Sequence, residues 1–359
     1  MTLLPYIAST KELKTKPTQH SVNELRRSGI QPDLLVCRAD SEISESLREK
    51  IGLFTDVEPY AVIPMTTAKS VYEVPLILEK YGAGDLITKY LGLPQVTPDM
   101  TLWKTLADKA VNYKQIVKIA LVGEYVALED AYYSIREAIY HAGFKYDCKI
   151  KLEWVGTNDI HTAEDAAEKL KDVQGICLAG GFGEKNIESM IKVVEYAKAN
   201  KVPFFGIGLG MEAMLIDAGR IVFNSKDVNS TAFVPETMYP IIDIPQGRKA
   251  DLEHVAALRM GNYPCKVIPG TKAAAAYDGK EDIVERHRNS YEINNAYRDK
   301  LLDDGLIFSA FSPDNEYVEI CEVKDHPFML GCLFHPEYVS RPHRPHPLFS
   351  TFIDAARVK

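Results

Sequence analysis

Residues 204–214 read FFGIGLGMEAM. An apolar strand, Val202 to Phe205, runs into a turn flanked by glycines, and a helical stretch from Met211 to Leu215 leaves it. Few backbones suit such a stretch. The chain must reverse so sharply that side chains are excluded beside the tip, which is then presented at the end of a sheet. This is the frame of a nucleophile elbow, a strand–turn–helix unit of α/β proteins. The tip residue, however, is Gly208, which has no side chain. Taken alone, the stretch is also consistent with a tight turn that carries no chemistry.

The rest of the chain supports the α/β reading. The pattern predicts a strand at Met1–Ile7, a helix at about Ser21–Ser28, a strand at Asp33–Cys37, a helix near Glu42–Ile51, a strand at Ala61–Ile63 and a helix at about Val71–Lys80. Strands alternating with helices imply a parallel sheet. The prolines of Gly92–Pro98 read as a boundary. A second unit then opens on the strand Gln115–Gly123. It continues with a helix at Ala131–Ala142 and strands at Ile150–Trp154, Gly175–Ala179, Val202–Ile207, Val318–Val323 and Met329–Phe334. Helices are expected at Ala163–Leu170 and Ile187–Ala199. The expected organisation is 1–93, a linker at 94–114, and 115–359.

Composition narrows the function classes. A net charge of −8 argues against a general nucleic-acid or membrane-surface binder. The six cysteines are scattered and fit no zinc spacing, which predicts reduced thiols, no metal site and a cytoplasmic location. No apolar run reaches the roughly 18 residues of a membrane span.

Two further motifs fall at strand ends. Ala179-Gly180-Gly181-Phe182-Gly183 offers bare backbone N–H groups for an oxyanion, or simply a turn. Phe334-His335-Pro336-Glu337 sets a carboxylate two residues from a histidine, as a triad does, although such a pair can also be structural. Three such strand ends would converge at the carboxyl edge of one sheet, where open α/β sheets place their sites.

In order and residue type these motifs resemble the class I glutamine amidotransferase domain. More closely, the chain resembles the CTP synthase family. The resemblance is carried by Lys14-Thr15-Lys16-Pro17-Thr18-Gln19-His20-Ser21, Gly29–Asp33, Val36–Arg38, Lys50–Phe54, Asp130–Tyr132, Gly180–Gly183, Asn229–Thr231, Glu285–Arg288, Tyr291-Glu292 and Phe334–Glu337. It implies an α/β chain: part of a parallel-sheet synthase (amidoligase) domain, then an open α/β glutamine amidotransferase-like domain. It also implies the family chemistry. ATP phosphorylates UTP, ammonia displaces the phosphate to give CTP, and a glutaminase stimulated by GTP supplies the ammonia.

Measured against that resemblance, the chain departs in three ways. Its first residues fall where the family is already inside a strand, and no Gly-x-x-x-x-Gly-Lys-Ser/Thr pattern occurs. The main site for ATP and Mg²⁺ is therefore expected to be absent, and this chain alone is expected to be inactive. Second, glutamine handling is altered at three places. Gly208 stands where the family has its cysteine nucleophile, Ala232 where a glutamate grips the substrate, and Ser290 where an arginine pairs with the substrate carboxylate. His335 and Glu337 persist as base and orienting acid, with Gly181 and Leu209 as the oxyanion donors. Cys332 is expected to face away from His335 and not to substitute. Third, Glu184–Met190 lacks the glycines of a mobile loop tied to GTP activation.

What persists is Lys14, Thr15, Lys16, Pro17, Thr18, Gln19 and Lys50. The resemblance implies that these hold the triphosphate of UTP or CTP across a subunit interface. The expected partners are those nucleotides and either further copies of the chain or a catalytic CTP synthase subunit, with no nucleic acid, no membrane and no covalently bound cofactor. The expectation is a catalytically impaired or regulatory paralogue; the alternative is one subunit, or a truncated gene model, of an ammonia-dependent enzyme.

Overall fold

The fold is described from a computed structural model covering residues 1–180, 184–245 and 259–359. The chain divides into two compact units, Met1–Asn112 and Tyr113–Lys359.

In the first unit, Leu35–Ala39 is the central strand of a three-stranded parallel sheet, between Thr2–Leu3 and Val62–Thr66. Its core gathers Leu4, Val22, Cys37, Ile51, Val62 and Ile63. The helix Glu45–Thr55 starts where the Ser44 side chain accepts from the Leu47 N–H, satisfying one donor of the first turn. The first helix spans Lys16–Arg27 and so begins five residues before the predicted start. Pro17 does not break it: in the first turn the missing N–H has no intrahelical acceptor to lose, and the fixed φ is already helical.

The stretch expected to be a linker carries the helix Thr101–Val111. Trp103 on that helix donates to the Tyr72 carbonyl at 2.6 Å, so it packs within the first unit.

The second unit is built on a nine-stranded mixed sheet. Its spatial order is Asp282–Asn289, Arg259–Val267, Leu306–Phe311, Val318–Val323, Met329–Cys332, Phe204–Ile207, Gly175–Leu178, Gln115–Gly123 and Cys148–Gly156. The five strands from Met329–Cys332 onward run parallel. The other four join antiparallel; of these, the sequence pattern predicted only Val318–Val323. Side chains alternate between two cores, one on each face: Ala120 and Val122 enter one, Ile119 and Leu121 the other. A small sheet of Val228–Ser230, Tyr239–Asp243 and Glu292–Ile293 lies apart from this one.

Residues Glu184–Met190, expected as a loop, are the opening turns of the helix Glu184–Asn200.

Candidate functional site

The strands Gly175–Leu178, Phe204–Ile207 and Met329–Cys332 are immediate neighbours and parallel. Gly180, Gly208 and His335 follow their carboxyl ends, so the three motifs meet at one edge of one sheet, where open α/β sheets bind ligands.

Gly208 forms the tip between the strand Phe204–Ile207 and the helix Leu209–Phe223. Its φ is 56° and its ψ −111°, a region that side-chain-bearing residues enter only under strain. Its N–H donates to the Cys332 carbonyl (2.8 Å), and its carbonyl accepts from Met211 N (2.9 Å) and Glu212 N (3.1 Å). The flanking glycines are sterically required. A Cβ on Gly206 would lie 2.7 Å from the Gly210 carbonyl group, and one on Gly210 would lie 2.3 Å from the Leu178 oxygen. A Cβ on Gly208 would meet no atom within 4 Å. The elbow is therefore complete in backbone and open at the tip.

Leu209 opens the helix, so its N–H has no intrahelical acceptor. Gly180 comes within 3.9 Å of it, measured from where a Cβ would stand. The Gly180 carbonyl accepts from Tyr132 Oη at 3.1 Å, which anchors this glycine loop. Gly181, the other expected oxyanion donor, lies outside the described residues.

His335 Nδ1 and Glu337 Oε1 are 2.7 Å apart. With the carboxylate accepting, Nδ1 carries the proton and Nε2 is the basic nitrogen. The ring stacks on Tyr338 at 5.3 Å, and the His335 N–H donates to the Arg286 carbonyl at 2.8 Å. The Glu337 side chain is nearly buried at 4% exposure, whereas that of His335 is 25% exposed. The geometry is that of a base held by its acid.

Cys332 does not supply the missing thiol. It is fully buried, and burial, followed by the charges of Glu337 and Glu285, pushes its thiol well up.

The positions expected to grip substrate, Ala232 and Ser290, lie beside strands of one small sheet. Asp243 pairs with Glu292 and Ile242 with Ile293, bringing the segment after Ser230 toward the turn before Glu292. Thr231 donates to Asp243 at 2.7 Å, and Asn289 donates to Glu292 at 3.0 Å. Ala232 and Ser290 stand in these two segments and bring no charge. Instead, Glu212 on the elbow helix faces this region. Burial, and then the charge of Glu292, push its carboxyl up to about 7.

Sequence reasoning passed over Glu212, and also the ionic network behind the site. Arg259 bridges Glu292 (3.1 Å) and Glu319 (2.6 Å), and His287 lies 3.5 Å from Glu319. Burial works against the Arg259 charge, but the two carboxylates more than offset it. Burial pushes His287 down to about 3, with Arg259 adding to the shift. Among the described residues, no group of three or more His, Cys, Asp or Glu is placed to hold a metal ion. No helix among them is long and apolar enough to cross a membrane.

In the first unit, Lys16 and Pro17 are exposed in the first turn of the helix Lys16–Arg27, which contains no acidic residue. Helix N-termini favour anions because their N–H groups point outward unsatisfied. Lys14 precedes this turn, and the Lys50 charge reaches Glu12, the residue that Lys14 pairs with. Thr15 and Gln19 bond to each other at 3.2 Å. Thr18 is fully buried, its hydroxyl set between Thr2 Oγ1 and the Leu3 carbonyl, so its side chain braces the helix on the sheet.

Similarity to known proteins follows the same two units. A sequence model of the CTP synthase N-terminus matches residues 1–93, and one of class-I glutamine amidotransferase matches residues 127–355. A CTP synthase of Dehalococcoides mccartyi is 53% identical over 99% of the chain, and one of Clostridium kluyveri is 47% identical over 99%. The chain spans 65% of the length of the Dehalococcoides relative. The glutaminase domain of Trypanosoma brucei CTPS, solved with bound acivicin, superposes with a TM-score of 0.64 at 29% identity. That match covers 68% of this chain and 94% of the solved one. The elbow, its paired base and the full-length likeness agree: this chain is a member of the CTP synthase family, with a class I glutamine amidotransferase fold as its second unit.

Proposed function

We propose that this chain is a CTP synthase-family protein of pyrimidine nucleotide metabolism whose glutaminase unit is silent and whose first unit keeps lysines for the triphosphate of UTP or CTP. The observation that carries the proposal is the elbow tip, which is in position beside a paired histidine–glutamate base yet is a glycine.

An amidotransferase of this kind needs a thiolate to attack the glutamine amide. The base nitrogen, here His335 Nε2, would take the thiol proton and return it to the departing ammonia. Backbone N–H groups such as that of Leu209 would receive the oxyanion. Without the thiol there is no acyl-enzyme. Loss of a nucleophile in a comparable mechanism costs about 10⁶ in rate. Ala232 and Ser290 also leave the substrate ungripped. A regulatory role, in which the chain assembles with a catalytic subunit and binds nucleotide, fits this inventory.

The test is glutamate release from glutamine, with and without GTP. The expected result is no turnover. A rate of about 1 s⁻¹ or more, ordinary for an enzyme, overturns the proposal. Gly208→Cys alone should restore little. The triple change Gly208→Cys, Ala232→Glu, Ser290→Arg should restore the most.

A second reading is favoured by the extent of the match. The chain corresponds to 65% of a relative's length, and an assembly supplying the remainder would make CTP from free ammonia. CTP formation by such an assembly from UTP, ATP and ammonia, but not from glutamine, would select it.

A further inference from the structure

The hairpin at the start of the chain sets a carboxylate against Lys14, one of the candidate phosphate lysines. Tyr6 pairs with Leu13 and Ile7 with Glu12, antiparallel. The Lys14 N–H donates to the Pro5 carbonyl at 3.0 Å. These bonds fix Glu12 just ahead of the segment that enters the helix Lys16–Arg27. From there Glu12 Oε1 accepts from Lys14 Nζ. The bond from Lys14 and then the Lys14 charge hold the Glu12 carboxyl below its usual range, and Lys50 adds to this from the helix Glu45–Thr55. A carboxylate of the chain itself thus pairs with Lys14, and the Lys50 charge is a smaller influence on it.

The contact is built to exchange. The Lys14 and Glu12 side chains are 41% and 56% exposed, and ion pairs in that setting are weak. A carboxylate and a phosphate are also interchangeable partners for an ammonium, since both are oxyanions that accept the same charge-assisted bond. Glu12 therefore competes with any phosphate that approaches Lys14.

We propose that Glu12 is an internal stand-in for a nucleotide phosphate: it occupies Lys14 while the site is empty and is displaced when a polyphosphate binds. The proposal rests on reading Lys14, Lys16 and Lys50 as a triphosphate site. It assigns to Glu12 the setting of affinity at that site, through the ion pair that binding must break and the repulsion that remains afterwards.

Calorimetry of the full chain with CTP and with inorganic tripolyphosphate tests it. Glu12→Gln keeps the shape and removes the charge, and it should bind both probes about two- to fivefold tighter than the parent. Lys14→Ala should weaken binding more in the Glu12→Gln background than in the parent, because Lys14 is then wholly available. Glu12→Gln binding equally or more weakly, while Lys16→Ala still weakens binding, overturns the stand-in and leaves the triphosphate site standing. A parent that binds neither probe, or a Lys16→Ala chain that binds as well as the parent, overturns the triphosphate reading and this inference with it. As a readout independent of affinity, the Glu12 carboxyl pKa, followed by NMR, should rise on saturation with tripolyphosphate. No rise in a chain that binds the probe also overturns the stand-in.

Discussion

Restoring a thiol at the elbow tip is the most direct probe of the site, and its stability cost follows from the backbone. Gly208 has φ 56° and ψ −111°, where a residue with a Cβ is strained by about 1–3 kcal/mol. No steric cost adds to that, because the new Cβ meets nothing within 4 Å. For a unit of this size, Gly208→Cys should lower Tm by roughly 2–10 °C. Gly210→Ala should cost clearly more, since its Cβ would be driven to 2.3 Å from the Leu178 oxygen. Alkylation by iodoacetamide then reads the chemistry. All six native cysteines are buried, and burial pushes Cys37 up to about 11 and Cys332 well up, so the folded parent should react slowly. A cysteine at 208 would cap a 15-residue helix on the strand next to the one leading to His335. Both the helix terminus and the histidine favour a thiolate. One equivalent of label should enter, at a rate that levels off below the usual thiol pKa of about 8.5, and Gly208→Cys/His335→Ala should shift that profile upward. Labelling no faster than in the parent, or a Tm loss matching that of Gly210→Ala, would refute the intact-elbow reasoning.

Three other perturbations have a stated direction. Lys16→Ala should weaken CTP binding about ten- to a hundredfold, on roughly 1.5–3 kcal/mol for a charge-assisted contact, with glutamine chemistry unaffected; calorimetry reads it. The Glu212 carboxyl is raised in the folded state, so its stability is whole below the unfolded value of 4.5 and is lost as pH rises through about 7. Glu212→Gln should therefore stabilise the chain at pH 8, by about 1–2 kcal/mol after discounting for the partial exposure of the side chain, and do little at pH 4.5; melts at both pH values decide. Arg259→Met strands two buried carboxylates, Glu292 and Glu319, and should cost about 3–5 kcal/mol in denaturant titrations; a loss under 1 kcal/mol would show that the network is dispensable.

Sequence patterning found those parts of the molecule whose burial is apolar. The strands Gln115–Gly123 and Val318–Val323 and the helix Ala163–Leu170 stand at their predicted ends. The hairpin Arg259–Val267 with Asp282–Asn289 escaped for a physical reason. Its inward positions include Arg259, Glu285 and His287, which are buried against polar partners on other elements: Glu292 and Glu319 for Arg259, Tyr277 and His346 for Glu285, and Glu319 for His287. A hydrophobic period cannot reveal a face made of paired ions. The helix Lys16–Arg27 starts earlier than predicted, with Pro17 in its first turn, where proline starts a helix rather than breaking it. At the site, His335–Glu337 and the elbow were legible through the family resemblance, because each motif alone is equally consistent with a structural pair or a plain turn. Glu212 was not, because its role depends on Glu292, far off in sequence.

The elbow also shows why a catalytic frame can outlast its nucleophile. Its turn is a packing device before it is a chemical one. The helix Leu209–Phe223 lies on the sheet only because Gly206, Gly210 and Gly331 let backbones approach: a Cβ on Gly331 would come within 2.8 Å of Met211 Cβ, beside 2.7 Å at 206 and 2.3 Å at 210. Met211, Ala213, Met214, Leu215 and Ile216 on that helix are core residues, so opening the turn would dismantle one face of the unit. Selection for a stable fold is thus enough to hold the turn in place. At the tip the requirement runs the other way. A positive φ with empty space around it admits a side chain only under strain, and glycine avoids the strain that a cysteine would impose. Substitution at 208 is therefore the change that costs the fold least, whereas Gly206, Gly210 and Gly331 cannot follow. An elbow of unaltered backbone with a glycine tip is what that asymmetry leaves behind.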